Sequence, residues 1–207
     1  MTVTAGGEYK VSRLGMALKR AFDLLVAVVG LLVFSPLILI IYIAIRREDG
    51  GAAIFKQKRV GLGGKEFMLY KFRSMIIDSE ADGTPALCKD NDDRLTKVGA
   101  FLRAHHLDEL PQLWNVLRGD MSVVGYRPER RYFVDRIMEH DQRYELLFQM
   151  RPGLFSYATL YNGYTDTMEK MLERLRLDLE YLRDWSLWHD VKIIALTTYS
   201  IISGKKF

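Results

Sequence analysis

LLVAVVGLLVFSPLILIIYIAI, residues 24–45, holds no charged side chain. Fully helical, the run is roughly 33 Å long, enough to cross a hydrocarbon core. Ser35-Pro36 falls at its middle. Proline removes a helical hydrogen bond and crowds the preceding turn, so this position predicts a break or bend. The serine hydroxyl beside it can satisfy a freed carbonyl in lipid. Lys10, Arg13, Lys19 and Arg20 precede the run, and Arg46, Arg47, Lys56, Lys58 and Arg59 follow it. A spanning helix carries its excess Lys and Arg on the cytoplasmic side only. Basic residues on both sides predict a helical hairpin that dips into one leaflet and returns, with a proline-kinked span as the alternative. The run is too long for a signal peptide, and no small-residue cleavage site follows it. At its mouth, Arg20 and Asp23 share a helix face; they can pair, or Asp23 can stand as a solvated interfacial carboxylate.

Outward from this segment, the chain of 207 residues has room for one compact domain. With 49% hydrophobic and 27% charged residues it is neither disordered nor an ordinary multi-span membrane protein. A formal charge of +4 admits nucleic acid, nucleotide phosphates or anionic lipid as partners without choosing among them. The single cysteine, Cys88, excludes an intrachain disulfide and a cysteine-rich zinc site, which favours a reducing compartment.

After the apolar run the pattern becomes that of a small α+β body, mainly helical. Residues 54–60 and 67–72 read as strands of a short β-hairpin joined by the turn GLGGKE. The polar stretch 78–92 reads as a surface loop. Asp92 or Asp93 is expected to cap a helix running to about His105, with Leu95, Val98, Phe101 and Leu102 as its apolar face. A second helix is expected from about Asp108 to Leu117, ending near Gly119. Further helices are expected at 129–149, 166–184 and 187–203. Met168, Met171, Leu172, Leu175, Leu179 and Leu182 recur at helical spacing and read as packing, without chemistry. Trp185 and Trp188, beside VKIIALTTYSIIS and a terminal Lys-Lys, fit an amphipathic helix lying in a membrane interface. The expected division is a tail and membrane helix over 1–50 and a body over 51–207, forming one functional domain.

The densest polar cluster is RAHHLDELPQLWNVLRGDMSVVGYRP, residues 103–128. Pro111 fits only the first turn of a helix, which places Asp108 and Glu109 at or just before a helix N-terminus. There the dipole favours an ionised carboxylate, and an ionised Asp108 can serve as nucleophile or as a hard oxygen ligand for Mg²⁺. Arg103 and Arg127 can clamp phosphate oxygens around it, and Lys71 and Arg73 in YKFRSM can add charge. By spacing alone the Asp-Glu pair also fits a cap with a solvated neighbour. Adjacent histidines such as His105-His106 do not easily face one metal from a helix, which argues against a zinc site.

Three segments, KRAFDLLVAVVGLLVFSPLILI, AIFKQKRVGLGGKEFMLYKFRSM and LDELPQLWNVLRGDMSVVGYRP, resemble the bacterial sugar transferase family in order and spacing. RPGLFSYATLYNG at 151–163 continues the likeness less closely. These are monotopic phosphoglycosyl transferases, and the chain is similar to their small, stand-alone members. The resemblance implies a re-entrant membrane helix broken at Ser35-Pro36 and a catalytic dyad at Asp108-Glu109. It implies that Asp108 attacks the sugar-bearing phosphate of a UDP-sugar, releasing UMP, and that polyprenol phosphate, in bacteria undecaprenyl phosphate, then takes the sugar phosphate. Mg²⁺ would neutralise the diphosphate. Glu109 would support the metal or the nucleophile, or accept a proton. The implied location is the bacterial cytoplasmic membrane, with the site on its cytoplasmic face and membrane lipid as a further partner. His105-His106, Tyr126 and the segment 151–163 depart from the usual pattern and leave the sugar open.

A membrane-tethered nucleic-acid binder is the main rival, because residues 94–120 can form two helices in a basic chain. The second of those helices would start with two acids and continue PQLW, a poor surface for a major groove. A non-enzymatic scaffold is the other rival, and it leaves the ordered motifs without a reason.

Overall fold

The structure is a computed structural model that describes residues 2–3, 9–10, 12–77, 92–163, 165 and 167–203. Cys88, nearly all of the loop expected at 78–92 and the terminal lysines lie outside the described residues. Two short strands, β1 (Thr2–Val3) and β2 (Tyr9–Lys10), pair antiparallel and precede α1 (Arg13–Asp49).

α1 is a single helix of 37 residues. Ser12 caps it by accepting from the Gly15 N–H, and Gly50 ends it in the left-handed region at φ 74°. The break expected at Ser35-Pro36 takes another form: the helix runs through the proline without interruption. Pro36 has no N–H to offer the Leu32 carbonyl four residues back. The Ser35 hydroxyl donates to that carbonyl instead, at 2.8 Å. A side chain has replaced the missing backbone donor, so the local polarity is satisfied without opening the helix.

Both halves of α1 rest on the same body. Lys19, Asp23 and Ala27 are buried in the first half and Ile41 and Ile45 in the second, a spacing of four that keeps one face inward. Asp23 makes no hydrogen bond with Arg20 among the described residues and accepts from the Ser122 hydroxyl and the Val123 N–H, at 2.9 and 3.0 Å. Arg20 instead donates to the carbonyls of Val116 and Leu117, at 2.7 and 3.0 Å. At Gly30 the approach is close: a Cβ there would lie 3.1 Å from a Leu113 methyl. Residues 32–36 are exposed on every side of the helix, so its middle stands clear of the body.

β3 (Ile54–Val60) and β4 (Glu66–Phe72) form the expected hairpin, in register from Ile54↔Phe72 to Val60↔Glu66. α2 (Lys97–Ala104) starts later than expected because Thr96, not an aspartate, caps it by accepting from the Gly99 N–H. Asp92 is instead bound to the Arg94 N–H and guanidinium. The helix expected from Asp108 divides into a 3₁₀ turn, Leu107–Glu109, and α3 (Gln112–Arg118). Pro111 has no N–H to carry an α-helical ladder back to Leu107, so the turn closes early, from the Leu110 N–H to Leu107 at 3.3 Å.

β5 (Ser122–Val124) is wholly buried and pairs in parallel with β6 (Gly153–Phe155). The helix expected over 129–149 is α4 (Arg131–His140) followed by a 3₁₀ stretch, Gln142–Gln149. Asp141 is extended and turns back on the Arg143 N–H, which separates the two. The short α5 (Tyr157–Asn162) follows a Ser156 cap. α6 (Met168–Arg183) and α7 (Leu187–Ile202) close the fold close to their expected limits.

The main core gathers Val60, Leu69, Val116, Val123, Val134 and Leu147 with Met171, Leu175 and Leu182 of the α6 stripe. A smaller cluster joins Ile41 and Ile45 to Ala53, Phe72 and Leu102. α7 is held on α1 by Asp190, which accepts from Lys19 at 2.6 Å and from the Tyr181 hydroxyl at 2.7 Å.

Candidate active site

Four elements bring charge to one place. β4 supplies Lys71, the last turn of α2 supplies Arg103, the 3₁₀ turn supplies Asp108 and Glu109, and the segment after β5 supplies Arg127. The turn is aimed by the residue before it. His106 sits at φ 54°, the only non-glycine residue with positive φ among the described residues, and this left-handed step swings the chain out of α2. His105 ends α2 with its Nδ1 2.8 Å from the Phe101 carbonyl, so the two histidines serve different surroundings. Burial lowers the His106 imidazole below its ordinary value, against the raising influence of Glu109.

Asn115 fixes the turn to the sheet. It is fully buried, accepts from the Tyr70 N–H at 3.0 Å and donates to the Met68 carbonyl at 2.7 Å. A side-chain amide thus takes the place of a neighbouring strand along β4. The register it sets brings Lys71 to Glu109, 38 residues away in sequence.

The two carboxylates are not equivalent. One oxygen of Glu109, Oε1, accepts from both Lys71 Nζ at 2.8 Å and Arg127 at 2.7 Å. Burial alone would raise its carboxyl, but the Arg127 and Lys71 charges outweigh that and hold it far below the usual carboxylate range. Glu109 in turn raises Arg127. Asp108 is buried, and its carboxylate accepts no hydrogen bond among the described residues. Burial raises its carboxyl, with Lys71 and Arg103 pulling the other way and Glu109 adding to the rise. One acid is tied down as an anion, and its neighbour keeps its lone pairs unused.

Asp108, Glu109, Lys71, Arg103 and Arg127 are therefore gathered as the sequence suggested. Arg73 is engaged elsewhere: it pairs with Asp49 at the end of α1 and braces that helix against the sheet. Ser35 and Pro36 sit on the exposed middle of α1. His106 and Asn115 carry site geometry that sequence reasoning had not assigned; the signal for Asn115 was a polar residue inside the apolar run LWNVL.

No group of three His, Cys, Asp or Glu side chains able to hold a metal occurs among the described residues. Mg²⁺ commonly needs only one or two carboxylates, with substrate phosphates and water completing its shell. Asp108 fits that pattern, since its oxygens have no other partner among the described residues. Arginine has five N–H donors and lysine three, so Arg127 and Lys71 retain donors for a phosphate after binding Glu109.

A family model described as bacterial sugar transferase matches residues 14–204. The chain is 42% identical over 191 residues to a UDP-glucose:undecaprenyl-phosphate glucose-1-phosphate transferase of Escherichia coli K12, covering 91% of this chain and 41% of that protein. It is 40% identical to a UDP-N-acetylgalactosamine-undecaprenyl-phosphate N-acetylgalactosaminephosphotransferase of Aeromonas hydrophila, covering 90% and 44%. A UDP-glucose:undecaprenyl-phosphate glucose-1-phosphate transferase of Caulobacter vibrioides is 42% identical, with 89% of this chain and 70% of that protein covered. The chain thus spans about two fifths of the length of the first two and more than two thirds of the third.

Proposed function

Because this chain belongs to the bacterial sugar transferase family, we propose that it moves a sugar phosphate from a UDP-sugar to undecaprenyl phosphate through an acyl phosphate on Asp108. The inequality of the dyad carries the reading: Glu109 is held by two cations, while Asp108 is left without a hydrogen bond among the described residues. An Asp108 oxygen attacks the sugar-bearing phosphorus, and the bond to UMP breaks with its electron pair leaving on UMP. The phosphate oxygen of undecaprenyl phosphate then attacks the same phosphorus, and the carboxylate departs unchanged. Lys71, Arg103 and Arg127 bind the phosphate oxygens through both steps. Glu109 keeps Lys71 and Arg127 in place as charge moves. Asp108 would hold Mg²⁺, which would supply charge neutralisation for the diphosphate.

Support for a monotopic arrangement comes from α1. It meets the body at Gly30, against Leu113, and again at Leu37, which packs on the smaller cluster. The helical rise between these positions is about 10 Å, a third of a hydrocarbon core. A body in water cannot hold both halves of a helix that crosses the bilayer between them. The exposed middle, with Leu32, Val33 and Phe34, would instead enter one leaflet, and lipid would remove these side chains from water at roughly 1.5–3 kcal/mol each. Residues 1–50 then anchor the catalytic body of 51–207, and both ends of α1 face the cytoplasm, where UDP-sugars are available. Membership in this family gives no support to the nucleic-acid-binding or scaffold readings.

Two experiments test the reading. A panel of UDP-sugars with undecaprenyl phosphate should give UMP in step with lipid-linked sugar for at least one member; no UMP from any would remove the function. Arg13→Cys and Arg47→Cys, each in a Cys88→Ser background, should both resist a membrane-impermeant thiol reagent in intact cells. Both should react once the membrane is opened. Labelling of Arg13→Cys in intact cells would establish a crossing helix.

A further inference from the structure

Residues 125–129 carry Arg127 to the dyad and belong to no helix or strand, yet each is tied to the body. The Gly125 N–H donates to the Phe155 carbonyl at 3.0 Å, and the Tyr126 carbonyl accepts from the Gly153 N–H at 2.8 Å. The approach leaves no room for side chains: a Cβ on Gly153 would lie 2.0 Å from the Gly125 nitrogen. The Arg127 main chain lies beside the carboxylate of Asp178 on α6 and lowers its pKa, and that carboxylate accepts from the Ser156 hydroxyl at 3.0 Å. The Pro128 carbonyl accepts from Arg59 at 3.1 Å, and the Glu129 carbonyl accepts from the Val60 N–H at 2.9 Å. The Glu129 carboxylate then bridges two cations, Arg59 at 3.0 Å on one oxygen and Arg174 of α6 on the other.

We propose that α6 is a positioning element of the active site, in which Arg174 and Asp178, one helical turn apart, fix the Arg127 guanidinium against Glu109. Asp178 acts on the Arg127 main chain directly, and Arg174 acts through Glu129 two residues on. Packing alone would not call for these groups. They interrupt an apolar stripe, where burying a charged or polar group is costly unless it is paired or hydrogen-bonded; Arg174 pairs with Glu129, and Asp178 accepts from the Ser156 hydroxyl. Burial pushes the Asp178 carboxyl up to about 7, with Arg174 and the Ser156 hydroxyl opposing the rise. The Arg174 and Glu129 side chains are 12% and 14% exposed, so their pairing is not a solvent-screened surface contact. The inference rests on the proposed function for its activity readout.

A double-mutant cycle tests it, with UMP release measured as kcat/KM per folded protein. Arg174→Met keeps most of the side-chain length and removes the charge, while Arg127→Ala removes the group being positioned. Arg174→Met should cost at least tenfold in the wild-type background and less than twofold beside Arg127→Ala, because its target is already gone. Losses that multiply in the double variant would overturn the proposal. If Arg174→Met does not accumulate as folded protein, the near-isosteric Glu129→Gln runs the same cycle with the same expectations. A second readout needs no substrate. In ¹⁵N NMR of the arginine guanidinium groups, with Arg127→Ala assigning the resonance, Arg174→Met should shift the Arg127 signal, since its guanidinium has moved from Glu109. An unchanged Arg127 signal would overturn positioning. Failure of the wild type to release UMP would instead remove the function, and the Arg127 signal would still decide the positioning.

Discussion

Asp108→Asn should lower UMP release by at least a thousandfold, about 4 kcal/mol or more of transition-state stabilisation, and should leave the protein as stable as the wild type or more stable. The two halves of this expectation come from the same facts. Asp108 makes no hydrogen bond among the described residues, so an amide there breaks none of the described contacts that hold the turn. Its carboxyl is raised above the ordinary value by burial, which means that ionisation costs the folded state more than the unfolded one. The linkage runs in one direction: stability is greatest below the unfolded carboxylate pKa and falls as pH rises toward the folded value. Near neutral pH the amide escapes that cost. The chemistry loses its nucleophile and its only candidate oxygen ligand outside Glu109 in the dyad. Equal turnover in the variant, or a melting temperature far below wild type, would contradict the assignment.

Glu109→Gln should behave in the opposite sense on stability while also losing activity, by roughly a hundredfold, about 2.7 kcal/mol. Glu109 is held below its ordinary range by Arg127 and Lys71, against burial, so its ionised form favours folding. Neutralising it leaves two cations with little exposure beside a dipole instead of a charge. Breaking a buried pair from one side costs roughly 3–5 kcal/mol. A loss of 3 kcal/mol would lower the melting temperature by about 6–12 °C in a chain of this size. That deficit should be full above the unfolded glutamate pKa of about 4.3 and should shrink as pH falls below it, because the wild-type residue then begins to lose its advantage. Thermal melts of both proteins at pH 7 and pH 4 decide the matter. Equal melting at pH 7 would mean that Lys71 and Arg127 find other partners and that Glu109 does not hold them.

The opposed signs expected for adjacent carboxylates mark what the sequence could and could not convey. LDELP indicated that an acidic pair precedes a helix, and it pointed to Arg103, Arg127 and Lys71 as cations nearby. It could not divide the labour, because that depends on a pairing between Lys71 and Glu109 set by tertiary register through Asn115. Arg73, two residues beyond Lys71 in the same motif, was equally eligible by charge. Only the end of α1, with Asp49 beside it, shows where it goes. The β3–β4 hairpin was legible because its glycine-rich turn interrupts two strand-like runs. β5 and β6 were not, since three-residue strands carry no alternation to read, and they find each other across a gap bridged by α4. The uninterrupted course of α1 through Pro36 turned on one hydroxyl: the sequence showed that Ser35 can help, but the distance to the Leu32 carbonyl shows that it does. The apolar stripe of α6 was read as packing, and its two charged members became meaningful only beside Arg127.

The claim on which the rest depends is that Asp108 carries the sugar phosphate between donor and acceptor. Mixing the protein with a UDP-sugar labelled in the sugar, without undecaprenyl phosphate, isolates the first step. The account predicts one equivalent of UMP released in a burst and the label retained on the protein. Mass spectrometry should then place a phosphosugar on the peptide containing Asp108, and undecaprenyl phosphate added afterwards should remove it. UMP that appears only when the lipid acceptor is present, with no label on Asp108 at any time, would contradict it and require direct transfer between the two substrates.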